Sequence, residues 1–585
     1  MYRLVAKSFW RHSQFKNGLF PPKYRLETAF FQSTQPEIAA TATAAVDSAA
    51  AAAPAAAAPA ATPPKPEEPP AAASTFVKIE HVEPIQKALP YDDIPGPVSL
   101  QFIAKMFRFI PVIGTKLTIT AVQHLLSGGK IFGAALAWSG FNLWYFRKLH
   151  DNFGPVVRLH GPFGGDVVVL CRPEHIHTVY LSDGPYPTRS CLDCVEKYRV
   201  QYRRYKNAGP FLMSGPEWAH VRKAVEQPLH KCLETQFDMI NESCDDFLNR
   251  IVRIRNIQDE VTPGFKYEIY KWALECLCAV MLNKKLGFLD PHGLSSVSEP
   301  SRLMESLHDA TDAIRRCESG LHMWKLFETP SWKTMVRHCD VIDGILNKHI
   351  QKAQESLRAK KVDPFCASNA SMLETLLMKD NITPDDVLTV MLDMLIIGMN
   401  TTMNTVAFLM YHLARTPRVQ YKLYEEIKAG PATPKKEDIP NYPYLQACIK
   451  ECLRLNPSMP VLSRVLNKDV VLYNYLVPKG TIVMIATHLS GLREEFYEDP
   501  YKYKPERWLA PDMGTKEIDA MASIPYGFGP RACFAKELVE SMIGLLMVKL
   551  VMKFRLEYHY GEIRSTNKLF AAPNRPLKFR FVERV

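Results

Sequence analysis

Cys533 ends a glycine-rich turn and precedes a long apolar segment. Residues 526–535 read YGFGPRACFA, and glycines let the backbone approach a flat ligand closely. A helix beginning at the cysteine would direct its free N–H groups and the positive end of its dipole toward the sulfur. Because both effects favour the thiolate, the pattern predicts that Cys533 is the axial ligand of a haem iron, where a thiolate promotes cleavage of an O–O bond.

Polar and flexible residues interrupt the centre of the apolar segment 385–413. The sequence TPDD at 383–386 is typical of a helix start. Gly398, Asn400 and Thr401 then lie in what should be a buried helix, and such a local inconsistency often marks a functional site. A second interpretation is that the Thr401 hydroxyl only bonds back to its own helix.

Two pairs of residues lie at helical spacing. Trp218 and Arg222 are four apart, so an indole N–H and a guanidinium can converge on one carboxylate, although a tryptophan on a helix also suits a core position. Glu451 and Arg454 are three apart in a helix that Pro457 ends. A pair of this kind needs further partners if it is buried, and needs none if it is a solvated surface pair.

The order of these motifs along the chain resembles the cytochrome P450 family, from about Leu89 to the C terminus. The motifs are Trp218 with Arg222, GMNTT at 398–402, Glu451 with Arg454, PERW at 505–508, and the turn before Cys533. The resemblance implies a mainly α fold with a small β-rich lobe, the cytochrome P450 fold. It also implies haem b (iron protoporphyrin IX) as the cofactor.

The resemblance implies that the groove around Thr401 binds oxygen. Gly398 would open room beside the haem, and the Thr401 hydroxyl would hydrogen-bond dioxygen and relay protons. Asn400 stands where the family commonly has an acid, so proton delivery would rest on Thr401, water and the Asn400 amide as a donor. Ile397 stands where the family usually has alanine or glycine.

By the same resemblance, other positions hold the haem, the cysteine loop or the substrate. The predicted cofactor-binding residues are Trp218, Arg222, Arg464, Arg531, Phe528 and Gly529. The arginines are assigned to the haem propionates because guanidinium forks suit carboxylates. The predicted structural network, which would hold the cysteine loop in place, is Glu451, Arg454 and Arg507. The predicted substrate-facing residues are Ile397, Val461 and Leu462, of which the last two suit core positions equally well.

The resemblance is to the animal mitochondrial class, which implies an acidic electron donor. The partner would be an adrenodoxin-like [2Fe–2S] ferredoxin, with NADPH acting indirectly through a reductase. Lys450 and Lys536 are predicted to dock this ferredoxin. The chain departs from its relatives at Gln446 and in the sequence AKE at 535–537, where they tend to carry Gly-Arg-Arg. This departure weakens the predicted electrostatic steering.

Composition divides the chain into three parts. Residues 1–37 are predicted to be a mitochondrial transit peptide because the first 26 residues are basic and lack acids, although a solvated basic tail is an alternative. Residues 38–87, rich in alanine and proline, are predicted to be a disordered linker. Residues 88–585 are predicted to be the haem-thiolate domain. These assignments predict a location on the matrix side of the inner mitochondrial membrane.

Charge and cysteine content argue against several classes of protein. The 13 cysteines form no regular disulfide framework, which indicates a reducing compartment. The net charge is +11, but basic residues are spread through the chain, so we predict no nucleic-acid partner. The apolar run at 131–146 is shorter than a spanning helix requires, so we predict a peripheral membrane contact that admits lipophilic substrates.

The leading hypothesis is a monooxygenase that inserts one atom of O2 into a lipophilic, sterol-like or xenobiotic substrate. One alternative is a thiolate-haem isomerase or dehydratase, which would turn over without external electrons. Another is a non-catalytic haem-binding sensor or scaffold, which would load haem but consume no oxygen. The sequence does not specify the substrate, because pocket contacts far apart along the chain decide it.

Overall fold

Helices dominate the part of the chain that the structure describes. The computed structural model describes residues 88–98, 100–101, 141–160, 166–189, 192–318, 323–360, 370–431, 433–509, 520–567 and 569–584. The predicted transit peptide and linker lie outside the described residues, as does most of the apolar run 131–146. The prediction of a membrane contact there stays a prediction.

The α-helices differ widely in length. They are α1 (Phe141–Phe153), α2 (Pro173–Ser182), α3 (Asp193–Glu196), α4 (Gly215–Thr235), α5 (Phe237–Ile254), α6 (Phe265–Leu282), α7 (Glu299–Glu318), α8 (Pro330–Lys360), α9 (Met372–Leu377), α10 (Pro384–Asp393), α11 (Met399–Arg415), α12 (Pro417–Lys428), α13 (Pro443–Leu455), α14 (Thr487–Gly491) and α15 (Lys536–Lys553). Short 3-10 helices lie at Tyr91–Asp93, Met323–Lys325, Lys436–Asn441, Pro505–Leu509 and Gly529–Arg531, and π-helical turns at Lys197–Tyr202 and Met394–Gly398.

The β-strands are short and form small sheets. They are β1 (Val156–Leu159), β2 (Val167–Leu170), β3 (Leu462–Val465), β4 (Val470–Leu472), β5 (Tyr475–Val477), β6 (Ile482–Ile485), β7 (Phe554–Glu557), β8 (Ser565–Asn567), β9 (Ala571–Pro573) and β10 (Arg580–Glu583). The largest sheet has the order β1-β2-β6-β3, and the pairs β4-β5, β7-β10 and β8-β9 are two-stranded.

The four-stranded sheet builds a lobe separate from the helical core. β1 and β2 pair antiparallel with Val156 opposite Leu170, β2 and β6 run parallel, and β6 pairs antiparallel with β3. Residues of β1, β2 and β6 are buried, in agreement with their almost continuous apolar sequence. Since the sheet residues form apolar clusters apart from the one shared by the helices, the fold is mainly α with a small β-rich lobe, as predicted.

The apolar segment predicted as a buried helix runs through the helical core. It begins at Pro384 with a capping box: the Thr383 hydroxyl accepts from the Asp386 N–H, and the Asp386 carboxylate accepts from the Thr383 N–H. A π-helical turn, Met394–Gly398, joins α10 to α11, and such turns are frequent at functional sites. Within the described ranges this is the one helix apolar and long enough to cross a membrane, yet 78% of its most apolar stretch is buried in the protein. We therefore interpret it as a core helix.

Candidate active site

A cavity that is partly open to solvent brings the predicted cysteine and the central helix together. The predicted site residues that line it are Cys533, Ile397, Gly398, Thr401, Trp218, Arg222, Leu462, Arg464 and Arg531. Much of the remaining wall is apolar, with side chains such as Phe211, Leu277, Met394 and Leu453. The arrangement therefore combines one thiol, several guanidinium groups and a largely apolar interior.

Two glycines shape the turn that carries Cys533. Gly527 and Gly529 have φ angles of 74° and 71°, in the left-handed region that favours glycine. The backbone N–H of Cys533 donates to the carbonyl oxygen of Tyr526 at 2.8 Å, which closes the turn. The cysteine is left exposed in the lining of the cavity. The turn thus presents the sulfur to the cavity, and its role as an iron ligand stays a prediction.

The expectation that a helix begins at the cysteine is wrong. α15 begins at Lys536, and the backbone N–H that reaches the sulfur is that of Ala535. Desolvation raises the pKa of the Cys533 thiol, and this outweighs the opposing effects of the Ala535 N–H and of the positive charges on Arg222 and Arg189. Burial in the protein thus opposes the thiolate, and ligation to a metal ion would favour it.

The hydroxyl of Thr401 donates back to its own helix. Its oxygen lies 3.1 Å from the carbonyl oxygen of Ile397 and 3.0 Å from that of Gly398. This is the geometry of the second interpretation of the sequence, although Thr401 also lines the cavity. A hydroxyl has two lone pairs besides its hydrogen, so Thr401 can still accept a hydrogen bond from a group in the cavity. Its relay role stays a prediction.

Asn400 ties the central helix to α7. Its Nδ2 donates to the carbonyl oxygen of Ile396 at 2.8 Å and to Oγ1 of Thr311 at 3.2 Å. Asn400 does not belong to the cavity lining, so its predicted assistance to Thr401 would have to act from outside that wall. At Gly398, by contrast, an added Cβ would meet no heavy atom within 4 Å, which agrees with a glycine that leaves open space.

Arg222 and Arg531 lie in the cavity wall with protein partners. Nη1 of Arg222 donates to the carbonyl oxygen of Ala532 at 2.6 Å, immediately before the cysteine. Nε of Arg531 donates to the carbonyl oxygen of Pro187 at 2.8 Å. The Arg531 guanidinium also lies 4.2 Å from the centre of the buried Trp218 ring. The predicted pair Trp218 and Arg222 thus lines the cavity together with Arg531.

Arg464 has a carboxylate partner that no sequence motif indicates. Its Nε donates to Oδ2 of Asp183 at 2.7 Å, and each side chain is only 4% exposed. Burial raises the pKa of Asp183, although the positive charge of Arg464 opposes that shift. Because the two residues are 281 positions apart, no local pattern could have paired them.

The predicted network of Glu451, Arg454 and Arg507 is brought together at the end of α13. Oε1 of Glu451 accepts from Nη2 of Arg454 at 2.7 Å and from Nε of Arg507 at 3.1 Å. Burial alone would raise the pKa of Glu451, but the two arginines and the backbone N–H of Lys504 hold it below its usual value. Nε1 of Trp508 also donates to Oε2 of Glu451 at 2.9 Å. Trp508 was missed, although its place in the PERW motif was the signal.

Three other predicted residues lie outside the cavity lining. Phe528 packs edge-on against Tyr180, with ring centres 5.7 Å apart. Gly529 begins the 3-10 helix before the cysteine. Val461 packs against the apolar cluster of the sheet, which agrees with the alternative prediction that it occupies a core position. Of the residues predicted to face substrate, Ile397 and Leu462 are the two that line this cavity.

The predicted docking lysines are exposed and lie near one carboxylate. Burial raises the pKa of Glu540, and the charges of Lys536 and Lys450 both oppose this shift. In the AKE departure, Glu537 lies 2.6 Å from a ring nitrogen of His230 and forms an ion pair with Lys436 at 2.8 Å. The surface beyond the cysteine therefore mixes both signs of charge.

The family model for cytochrome P450 matches residues 126–581, a range that contains every predicted site residue. The chain belongs to the cytochrome P450 family. This P450 is therefore a monooxygenase, and its family implies a haem cofactor.

Similar curated proteins include mitochondrial members of the family. The chain is 29% identical to "Probable cytochrome P450 301a1, mitochondrial" of Drosophila melanogaster, covering 85% of this chain and 87% of that protein. It is 31% identical to "Probable cytochrome P450 12a5, mitochondrial" of the same organism, covering 74% and 84%. Identity to the mitochondrial 1,25-dihydroxyvitamin D(3) 24-hydroxylase of Mus musculus is 27%, covering 75% and 83%.

Solved structures of other P450s share the fold. The cytochrome P450DA haem domain superposes with a TM-score of 0.63 at 16% identity, covering 78% of this P450 and 95% of that chain. A zebra fish cytochrome P450 solved with progesterone gives a TM-score of 0.62 at 19% identity, covering 76% and 99%. These likenesses show the fold alone.

The cavity of this P450 fits the haem that the family implies. An accessible thiol, open space beside Gly398 and a largely apolar wall suit a flat apolar macrocycle with an iron centre. Cys533 would hold the iron, and Arg222, Arg464 and Arg531 supply positive charge in the same wall for the propionates. When bound, the haem supplies the activation of O2, for which amino-acid side chains have no equivalent.

Proposed function

We propose that this P450 inserts one atom of O2 into a lipophilic, sterol-like or xenobiotic substrate in mitochondria. The supporting observation is the single cavity, largely apolar, that Cys533 shares with Gly398 and Thr401. An apolar wall binds a lipophilic molecule by removing its surface from water. Relatives named as a vitamin D(3) 24-hydroxylase and a sterol 26-hydroxylase, both mitochondrial, agree with this substrate class.

In this function, residues of the chain hold the cofactor, orient the substrate and exclude water. Cys533 would hold the iron, and the arginines of the cavity wall would hold the propionates. The Thr401 hydroxyl accepts a hydrogen bond and passes a proton at Oγ1. The Glu451 network fixes α13 to the segment Pro505–Leu509, which precedes the cysteine turn along the chain.

Electrons arrive singly from an adrenodoxin-like [2Fe–2S] ferredoxin and its NADPH-linked reductase. The exposed lysines Lys450 and Lys536 supply positive charge for an acidic partner. Residues 1–37 direct the chain to the mitochondrial matrix, where it associates peripherally with the inner membrane. The mitochondrial names of the relatives support this location.

The test combines spectroscopy with reconstitution. The reduced protein, exposed to carbon monoxide, should show a Soret band typical of thiolate ligation, which Cys533→Ser should shift or lose. Reconstituted with ferredoxin, reductase and NADPH, it should consume O2 and form hydroxylated product from a panel of sterols. An unchanged Soret position in Cys533→Ser would overturn the assignment of the ligand. Normal haem loading with no O2 consumption would favour a sensor or scaffold.

A second candidate is a thiolate-haem isomerase or dehydratase. The observation that favours it is that the Asn400 amide, at the position where the family resemblance leads us to expect an acid, is already bonded to Ile396 and Thr311. Such an enzyme rearranges its substrate without external electrons. Turnover in the absence of ferredoxin and NADPH would support this candidate, and turnover that depends strictly on both would exclude it.

A further inference from the structure

Asp393 is an acidic residue in a cavity wall that is otherwise apolar and basic. Asp393 ends α10, immediately before the π-helical turn Met394–Gly398. Among the described residues that line the cavity it is the only acid. A buried acid in an apolar wall is costly, so its presence calls for a local reason.

Several groups hold the Asp393 carboxylate in place. Nη1 of Arg199 donates to its Oδ1 at 2.7 Å, and the backbone N–H of Phe211 donates to its Oδ2 at 2.8 Å. Both charged side chains are buried, with 2% of Arg199 and 7% of Asp393 exposed. Gly209 has a φ of 91°, and an added Cβ would lie 2.5 Å from Nη1 of Arg199 and 3.0 Å from Oδ2 of Asp393. On the side of the pair that faces residue 209, the glycine therefore leaves just enough room for the ion pair.

The pair keeps capacity for one more hydrogen-bond donor. An ionised carboxylate offers about four lone-pair sites, of which Arg199 and Phe211 use two. Because Arg199 neutralises the charge of Asp393 and Arg189 also lines the cavity, an added cation would meet net positive surroundings. A neutral hydroxyl avoids that repulsion and can still donate to the carboxylate.

The position of Asp393 along the helix also fixes a distance. Asp393 and Thr401 are eight residues apart, which corresponds to at most about 12 Å along the axis, because the π-helical turn between them rises less per residue than an α-helix. Both line the same cavity as Cys533. A molecule anchored at Asp393 would therefore present to Thr401 a carbon at a fixed distance of at most about 12 Å.

We propose that Asp393, held by Arg199, accepts a hydrogen bond from a hydroxyl of the lipophilic substrate and so fixes which carbon is oxidised. This inference rests on the proposed monooxygenase function and names the polar group of its substrate class. Purely apolar analogues should bind less well because they exclude water from the carboxylate and offer it no hydrogen-bond donor in return.

The test uses the full-length holoprotein and matched probes, alkan-1-ols and n-alkanes of equal chain length. The wild type should bind the alcohol at least about tenfold more tightly than the alkane, measured by the shift of the haem absorbance. The paired replacement Arg199→Met with Asp393→Leu should abolish this preference while alkane binding persists. Hydroxylation of the alcohols should also occur at a constant distance from the hydroxyl as the chain is lengthened.

The control is Asp386→Asn, which alters another buried carboxylate of α10 that contacts Asn207 and is absent from the cavity lining. It should leave the preference for the alcohol unchanged. Equal affinity of the wild type for both probes, binding of neither, or a preference that survives the paired replacement would overturn the proposal. Failure of the proposed function itself is seen separately, as the lack of a thiolate-type carbon monoxide spectrum in the wild type.

Discussion

At the scale of single residues, the hydroxyl of Thr401 is the group predicted to pass protons into the cavity. It donates to the carbonyl oxygens of Ile397 and Gly398, so it must rotate, or accept a hydrogen bond, to interact with a ligand. We expect Thr401→Ala to lower product formation by about tenfold to 100-fold, at or below the lower end for loss of a proton-transfer group. The measurement is the ratio of product formed to O2 consumed. Thr401→Ser, which keeps the hydroxyl, is the control, and an unchanged ratio in the alanine variant would contradict the relay role.

A second residue with a testable charge is Glu318, at the end of α7. Its Oε1 accepts from the backbone N–H of Cys194 at 2.7 Å. Burial raises the pKa of Glu318 from 4.5 to about 7, although the hydrogen bonds from Cys194 oppose the shift. The fold therefore favours the protonated acid. The contribution of Glu318 to folding stability is complete below pH 4.5 and is lost as the pH rises through about 7.

Glu318→Gln removes this titration. Relative to the variant, the wild type should lose up to about 3 kcal/mol of unfolding free energy between about pH 4.5 and 8. Urea unfolding of both proteins across that range measures the difference. If the two pH profiles run parallel, Glu318 does not carry this dependence.

At the scale of elements, the Glu451 network joins α13 to the 3-10 helix Pro505–Leu509. Glu451→Gln would leave Arg454 and Arg507 as buried positive charges with no carboxylate between them. We expect the unfolding free energy to fall by about 3–5 kcal/mol, measured by urea unfolding. Glu506→Gln is the matched control: Glu506 pairs with Lys422, both about one-third exposed, so its loss should cost at most about 1 kcal/mol. Equal losses in the two variants would contradict the structural role of the network.

Elements with local signals could be predicted from the sequence, whereas partners distant along the chain could not. The start of the central helix could be predicted because the capping box lies within 383–386. The helix start near Cys533 was misplaced by three residues, since the apolar pattern does not show where a turn ends. The contact between Arg464 and Asp183, and that between Arg199 and Asp393, depend on the packing of whole elements.

At the scale of the whole molecule, the net charge of +11 says little about where a partner docks. What matters for an acidic ferredoxin is the charge close to Cys533, because interactions between exposed charges are screened beyond about 10 Å. There Lys436 contacts both Glu234 at 3.2 Å and Glu537 at 2.8 Å, so its charge is offset by two acids. Compared with the expected Gly-Arg-Arg, the AKE sequence lacks two arginines. Its Glu537 also offsets the positive charge of Lys436.

Reversing the charge of Glu537 tests whether this surface receives the ferredoxin. Glu537→Lys should raise the association rate constant with an acidic ferredoxin by about tenfold at low ionic strength, and the gain should shrink as salt is added. Stopped-flow measurement of the first electron transfer over a range of salt concentrations gives both quantities. Glu537→Asp keeps the charge and should behave as the wild type does. If Glu537→Lys changes neither the rate nor its salt dependence, the ferredoxin approaches elsewhere. A slower rate would mean that the contacts of Glu537 with His230 and Lys436 shape the docking surface.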